Sequence, residues 1–150
     1  MEFKGEQLIK APRESVWCSL NDPEMLRACV PGCESLVART PDEFDAVVVA
    51  AVGPVKAKFK GSLTLSERAA PSGYRIAGKG EGGIAGFGKM QAQVTLAEQD
   101  GGTLLSYTAE AQVGGKLAQI GARLVSSVAN KMADEFFLRF NNAVSARAAQ

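Results

Sequence analysis

The chain of 150 residues contains no histidine. That absence removes the commonest general base and the commonest ligand for zinc, copper and iron. Ser-His-Asp and Cys-His catalysis are excluded with it. Cysteine is scarce as well. Cys18, Cys29 and Cys33 are an odd set in a chain long enough to need no covalent staples, so they read as free thiols of a reducing compartment. Cys29 and Cys33 lie four apart across Pro31 and Gly32, but no further ligands stand nearby, and no metal is expected. An excess of either charge is also missing, with 17 Lys and Arg against 16 Asp and Glu. Such a balance supplies no concentrated positive field for nucleic acid, although a small local patch is compatible with it. No stretch reaches the roughly 18 to 20 apolar residues of a membrane span. The start, MEFKGEQLIK, alternates in polarity instead of carrying the apolar core of a signal peptide. A cytoplasmic protein is expected.

What is present is ordinary for a globular protein: 46% apolar and 22% charged residues. A chain of this length buries about 70% of its unfolded surface, enough for a core and a cavity. With no linker, repeat or low-complexity segment, one domain over residues 1–150 is expected.

Phe3, Gly5, Gln7 and Ile9 alternate with charged residues, the period of a half-buried strand. Pro12 then opens a short helix with Val16, Trp17 and Leu20. Asp22 caps a second, with Met25, Leu26 and Cys29, and Pro31–Gly32 end it. Turn signals follow at residues 40–42, 53–54, 71–73 and 100–102, with a glycine-rich bend around residues 80–88. Between them Phe44, Ala46, Val48, Ala50 and Val52 share a face. Ala57, Phe59, Leu63 and Leu65 oppose Lys56, Lys58 and Lys60. Met90, Ala92, Val94 and Leu96 oppose Gln91, Gln93 and Thr95, and Leu105, Tyr107, Ala109 and Val113 oppose Ser106, Thr108 and Glu110. Short links make this an antiparallel meander with one dry face. From residue 116 to about 146 the period changes. Leu117, Ile120, Leu124, Val128, Met132, Phe136 and Phe140 form a helical stripe about 45 Å long. The order predicts an α+β helix-grip fold: a curved antiparallel sheet of about seven strands around a long C-terminal helix, with two short helices after the first strand.

The segment GKGEGGIAGFGKM invites a nucleotide-binding reading through Gly78, Gly80 and Gly83, or through Gly88 and Lys89. Both motifs need a helix immediately afterwards, whereas MQAQVTLAEQ alternates as a strand. A bent hairpin that leaves room beside a pocket fits better. Glu34, Glu81, Glu110, Asp134 and Glu135 fall on polar faces or near turns, so no catalytic residue is assigned.

In this order and spacing, PRESVWCSLNDPEML, VPGCESL, AVGPVKAKFKG, GGIAGFGKM and AQVGGKLAQIGARLVSSVANKMADEFF carry a resemblance. Over residues 1 to about 145 the chain resembles the family of the carbon monoxide dehydrogenase G subunit, within the START-like (SRPBCC) helix-grip superfamily. The resemblance implies a non-enzymatic accessory protein of a molybdenum-type carbon monoxide dehydrogenase or related hydroxylase. It implies a pocket for a hydrophobic ligand, a quinone or lipid, and no cofactor in this chain; molybdenum, flavin and iron–sulfur centres would belong to the partner complex. Many members look longer, with a C-terminal extension that can end in an apolar anchor. Here Ala148, Ala149 and Gln150 follow the helix, so anchoring is expected to be absent or to depend on a partner, with peripheral contact at the inner membrane face still open. Helix-grip relatives also include polyketide cyclases and hydratases, so a buried-substrate enzyme and a ligand-free docking adaptor stand as alternatives.

Periodicity assigns the ligand-binding wall to Ala46, Val48, Ala50, Phe59, Ala92, Val94, Tyr107 and Ala109 on the sheet. Leu117, Ile120, Leu124 and Val128 face them from the helix, and Phe87 stands as a gate. Tyr107 and Gln7 are the inward polar groups available to a head group. The mouth is expected at the glycine-rich bend, with Gly82, Gly83, Gly86 and Gly88, beside Gly114, Gly115 and Gly121.

Overall fold

Period-two alternation becomes seven strands in the computed structural model, which describes residues 1–148; Ala149 and Gln150 lie outside the described residues. Strand β1 (Glu2–Ile9) is followed by helices α1 (Arg13–Leu20) and α2 (Pro23–Cys29). Then come β2 (Cys33–Ala38), β3 (Glu43–Val52), β4 (Val55–Ala69), β5 (Gly73–Glu81), β6 (Phe87–Gln99) and β7 (Gly102–Gly114). The chain ends in α3 (Lys116–Ile120) and α4 (Ala122–Ala148). The sheet order is β1-β7-β6-β5-β4-β3-β2, with every neighbour antiparallel. This is the helix-grip architecture.

Local chemistry explains the short helices. Pro23 occupies the first turn of α2, where its missing N–H costs nothing, and the Asp22 carboxylate accepts from the Glu24 N–H at 3.0 Å. The β6–β7 ladder runs in unbroken register from Phe87↔Gly114 to Gln99↔Gly102, and it sends Ala92, Val94 and Leu96 to the dry face with Leu105, Tyr107 and Ala109.

The C-terminal helix departs from the expected single stripe. Gly121 adopts φ +105, a left-handed conformation that side chains resist, so the helix breaks there into α3 and α4. One position of the expected stripe turns outward just past the break. Leu124, expected to point inward, is 39% exposed, and Val125 takes the buried position instead. From Val125 the inward face continues through Ala129, Met132, Ala133 and Phe136 to Phe140 and Val144.

Two apolar clusters hold α4 against the sheet. At the end near the helix C-terminus, Phe140 and Val144 pack with Ile9, Val16, Leu20, Leu96 and Leu105. At the other end Val125 packs with Leu117 and Val52, and Met1, Val55, Phe59, Ile120 and Val128 surround them. Phe140 is 0% exposed, whereas Leu138 on the opposite face is 58% exposed. Truncating a fully buried phenylalanine costs about 3–5 kcal/mol, from lost transfer energy and the cavity left behind. Phe140→Ala is therefore expected to lower unfolding free energy by about 3–5 kcal/mol in urea, and Leu138→Ala by about 0.5 or less. Equal losses would place α4 in the wrong rotation.

Candidate functional site

Beside the contact of Tyr107 on β7 with Phe137 on α4, the helix and sheet stand apart. A cavity of about 500 Å³ lies there. The reason is visible residue by residue. Ala92 on β6 pairs with Ala109 on β7, and Met90 pairs with Ala111 two residues on. Across from them α4 presents Ala129 and Ala133. Alanine facing alanine leaves a gap that Leu or Phe would have filled. Leu63 on β4, Tyr74 and Ile76 on β5 and Phe3 on β1 extend the sheet wall. Leu26, Val30 and Pro31 close one side from the α2–β2 junction, and Met132, Phe136 and Phe137 close the roof. Asn130 on α4 is the exposed residue among the described wall residues.

Among the described residues no Asp, Glu, Lys or Arg lines this space, and the lining residues with polar side-chain groups are Asn130, Tyr74 and Tyr107. Burial drives the Tyr74 hydroxyl far above its ordinary pKa of 10, against a weaker pull downward from Arg68. Burial also raises Tyr107, and the Asp134 carboxylate adds to the shift. Both phenols are therefore neutral hydrogen-bond donors at physiological pH. The Tyr107 ring lies so close over Gly5 that a Cβ there would come within 2.8 Å of its hydroxyl, which accounts for glycine at that strand position. Tyr107 also stacks on Phe137 (centroids 5.6 Å), and Phe137 meets Phe136 edge-on at 5.1 Å. Trp17 stands edge-on to Tyr74 at 5.5 Å, just behind the wall.

Of the residues expected on the wall, the structure brings together Ala92, Val94, Tyr107 and Ala109. The others lie elsewhere. Ala46 packs against the main cluster beside the cavity, while Val48 and Ala50 continue the same strand face away from it, half-buried. Phe59, Leu117, Ile120 and Val128 fill the second cluster, and Leu124 and Phe87 are exposed. Gln7 is half-buried on β1 and lies off the wall. The expected mouth is also displaced. Residues 82–88 and 114–121 contribute nothing to the wall; the Phe59 ring covers Gly82, and the second cluster fills the space behind it. Sequence reasoning missed Tyr74, Ile76, Ala111 and the helix residues Ala129, Ala133, Phe136 and Phe137 as wall residues. Strand alternation extended through β5 and β7 reaches the first three. Phe136 lies on the expected helical stripe further along than the wall was drawn, and Ala129, Ala133 and Phe137 lie beside that stripe.

The cysteines offer no chemistry to the cavity. Cys29 is buried and Cys33 partly so, and burial raises both thiols despite Arg139 near the first and a backbone bond and Arg27 near the second. They stay protonated and weakly nucleophilic. Among the described residues no three His, Cys, Asp or Glu side chains gather as a metal site, and no helix is long and apolar enough to cross a membrane.

The family model for the carbon monoxide dehydrogenase G subunit (CoxG) matches residues 5–145. The chain belongs to the CoxG family. Among solved structures, this CoxG member is similar to a conserved protein from Geobacillus kaustophilus, with 31% identity, a TM-score of 0.91, and 97% of this chain and 96% of that one covered. The fold is shared with Ara h 8.0201, at 14% identity and a TM-score of 0.66 over 97% of this chain and 98% of that one. It is shared also with the di-domain ARO/CYC BexL of the BE-7585A biosynthetic pathway, at 14% identity and a TM-score of 0.61 over 100% of this chain and 50% of that one. No protein with a curated description matches this CoxG chain.

Tyr74 gives a pH test of the wall. The unfolded tyrosine ionises near pH 10 and the folded one only well above that, so the unfolded state loses its proton first. Stability is full below pH 10 and falls as pH rises past it. In Tyr74→Phe this fall is expected to be shallower between pH 10 and 12, measured by urea unfolding at each pH. Identical slopes would mean that the hydroxyl ionises freely in the folded protein.

Proposed function

We propose that this CoxG protein binds a long apolar molecule with a small polar head, a quinone or lipid, and serves a molybdenum-type carbon monoxide dehydrogenase or related hydroxylase as a non-catalytic accessory. The observation that carries the reading is the cavity itself: about 500 Å³, walled by Ala, Val, Leu, Ile, Met and aromatic side chains with no formal charge. That volume is within the usual range for small-molecule sites. Burying roughly 300 Å² of an apolar chain against such a wall gains about 7 kcal/mol before the costs of association, so contacts of the head group must add to the affinity. A charged metabolite would find no counter-charge and would lose its hydration. The Tyr74 and Tyr107 hydroxyls can donate to carbonyl or ester oxygens, and Asn130 at the rim offers an amide to a head group near water.

A wall without carboxylate, amine or imidazole favours binding over catalysis. With their pKa values raised by burial, the two phenols hold their protons near neutral pH and serve as hydrogen-bond donors. The family description supports the partner: redox centres belong to the enzyme, and the accessory chain handles a molecule that its own side chains do not oxidise or reduce. The proposed setting is the cytoplasm. The ARO/CYC resemblance is one of fold and adds no residue that would perform cyclisation.

The test fills the cavity without cutting the core. Trp17 touches Tyr74, so its fluorescence reports on the wall. Titration with a soluble quinone analogue or a medium-chain lipid is expected to saturate in the wild type. Ala109→Phe and Ala133→Phe, which place rings in vacant space, are expected to weaken binding at least tenfold with Tm changed by only a few degrees. No saturable binding by the wild type, or wild-type affinity in both filled variants, would refute the reading.

A further inference from the structure

The end of the molecule that carries the β3–β4 and β5–β6 turns and the α3–α4 junction combines three features that the cavity does not explain. The first is exposed apolar surface. Ile84, on the short 3-10 turn between β5 and β6, is 85% exposed, Phe87 47%, and Leu124 stands over the Gly53 turn beside them. The backbone is shaped to hold these groups outward. Gly114 has no side chain because the Phe87 ring lies where its Cβ would be, 2.3 Å away, and a Cβ on Gly86 would strike the Gly114 carbonyl at 2.1 Å. Elsewhere Leu8, Val37 and Leu138 are exposed singly, as is common on any surface.

The second feature is a segregation of charge that the net value of +1 conceals. Among the described residues every arginine but Arg123 has an acidic partner within ion-pair distance. The lysines do not. Only Lys58 is paired, with Glu34 at 3.0 Å. Lys56 and Lys60 flank it on the outer face of β4, and Lys79 and Lys89 stand directly opposite each other on β5 and β6. Lys116 and Arg123 complete the set at the starts of α3 and α4. The carboxylates at this end are Glu34, Glu81 opposite Lys60, Glu110 on β7, which shares a surface hollow with Lys79 and Lys89, and Glu2 on the edge strand β1.

The third feature is that several of these positions oppose stability. Like charges directly opposite on adjacent strands repel. Cations in the first turn of a helix face the positive end of its dipole, and neither α3 nor α4 carries an acidic residue there to offset them. A surface arranged only for folding would place Glu or Asp at these sites.

We infer that this end docks onto an anionic lipid bilayer, Ile84 and Phe87 entering the interface while the lysines meet the phosphate layer. An acidic protein surface is the other occupant that charge alone allows. The composition favours the bilayer, because specific protein interfaces are enriched in Arg and depleted in Lys, and here every described arginine but Arg123 is held in an ion pair while lysines predominate around the apolar tip. Flexible lysines around one or two inserted apolar side chains suit a surface without fixed geometry. The inference stands apart from the ligand reading, since it holds whether or not the cavity is filled.

Co-sedimentation of the full chain with vesicles tests it. Binding to vesicles containing 30% phosphatidylglycerol is expected to exceed binding to pure phosphatidylcholine at least tenfold at 0.1 M salt, and to fall at least fivefold at 0.5 M salt. Ile84→Glu, at a position with almost no protein contact, is expected to reduce it at least fivefold, as is Lys79→Gln combined with Lys89→Gln. Lys10→Gln, at the other end of β1, should leave it unchanged, as should an occupied cavity. Equal partition into both vesicle types, indifference to the tip variants, or binding to polyglutamate beads without binding to the anionic vesicles would overturn the inference; the last result would assign the tip to an acidic protein.

Discussion

One helix must cover the concave face of a seven-stranded sheet, and the rest of the molecule follows from how it is fastened. Helix α4 is fastened at its ends. Phe140 and Val144 seat it in the cluster built from β1, α1, β6 and β7, and Val125 seats it in the cluster closed by α3 and the β3–β4 hairpin. Between these anchors the helix is about four turns long and faces the sheet with Ala129 and Ala133. The span is held at a distance that its own side chains cannot fill. A helix packed along its full length would leave no space, and one anchored at a single end would collapse into it. The cavity is thus a consequence of two rigid contacts, and close packing at both keeps it open.

This arrangement accounts for the chemistry of the wall. Residues that need only to line a gap are selected for size and apolarity, and the polar exceptions are few enough to name. Tyr74 and Tyr107 lie on the same face of the sheet, each paired with Val94, the first meeting Trp17 edge-on and the second stacked on Phe137. Their rings contribute apolar area, and each carries a hydroxyl that requires no buried charge.

Most of the fold was legible in the sequence because its elements obey separate periods. Alternation with turn signals at residues 40–42, 53–54, 71–73 and 100–102 places six successive strands, and Pro23 with Asp22 marks α2. The wall was legible only where a strand sets it alone. Ala92, Val94, Tyr107 and Ala109 come from β6 and β7, whose register is unbroken. On the helical side the expected stripe kept Leu117, Ile120 and Val128 in the second cluster and Met132, Phe136 and Phe140 inward, while Leu124, just past the break at Gly121, turns out and Val125 is buried in its place. Ala129 and Ala133, beside that stripe, carry too little apolar signal to be singled out. Phe59 and Phe87 were misplaced because alternation identifies a face but not how far along the strand a cavity extends. The family resemblance supplied the architecture, and side-chain packing was needed to locate the site within it.

The central claim is that the space under α4 is a binding site and not a packing defect. Native mass spectrometry of protein purified without detergent tests this most directly. The predicted result is a population carrying one apolar molecule of a size suited to about 500 Å³, lost when Ala133→Phe fills the cavity. Wild-type protein that carries no adduct as isolated and takes up none after incubation with extracted lipids and quinones would contradict it.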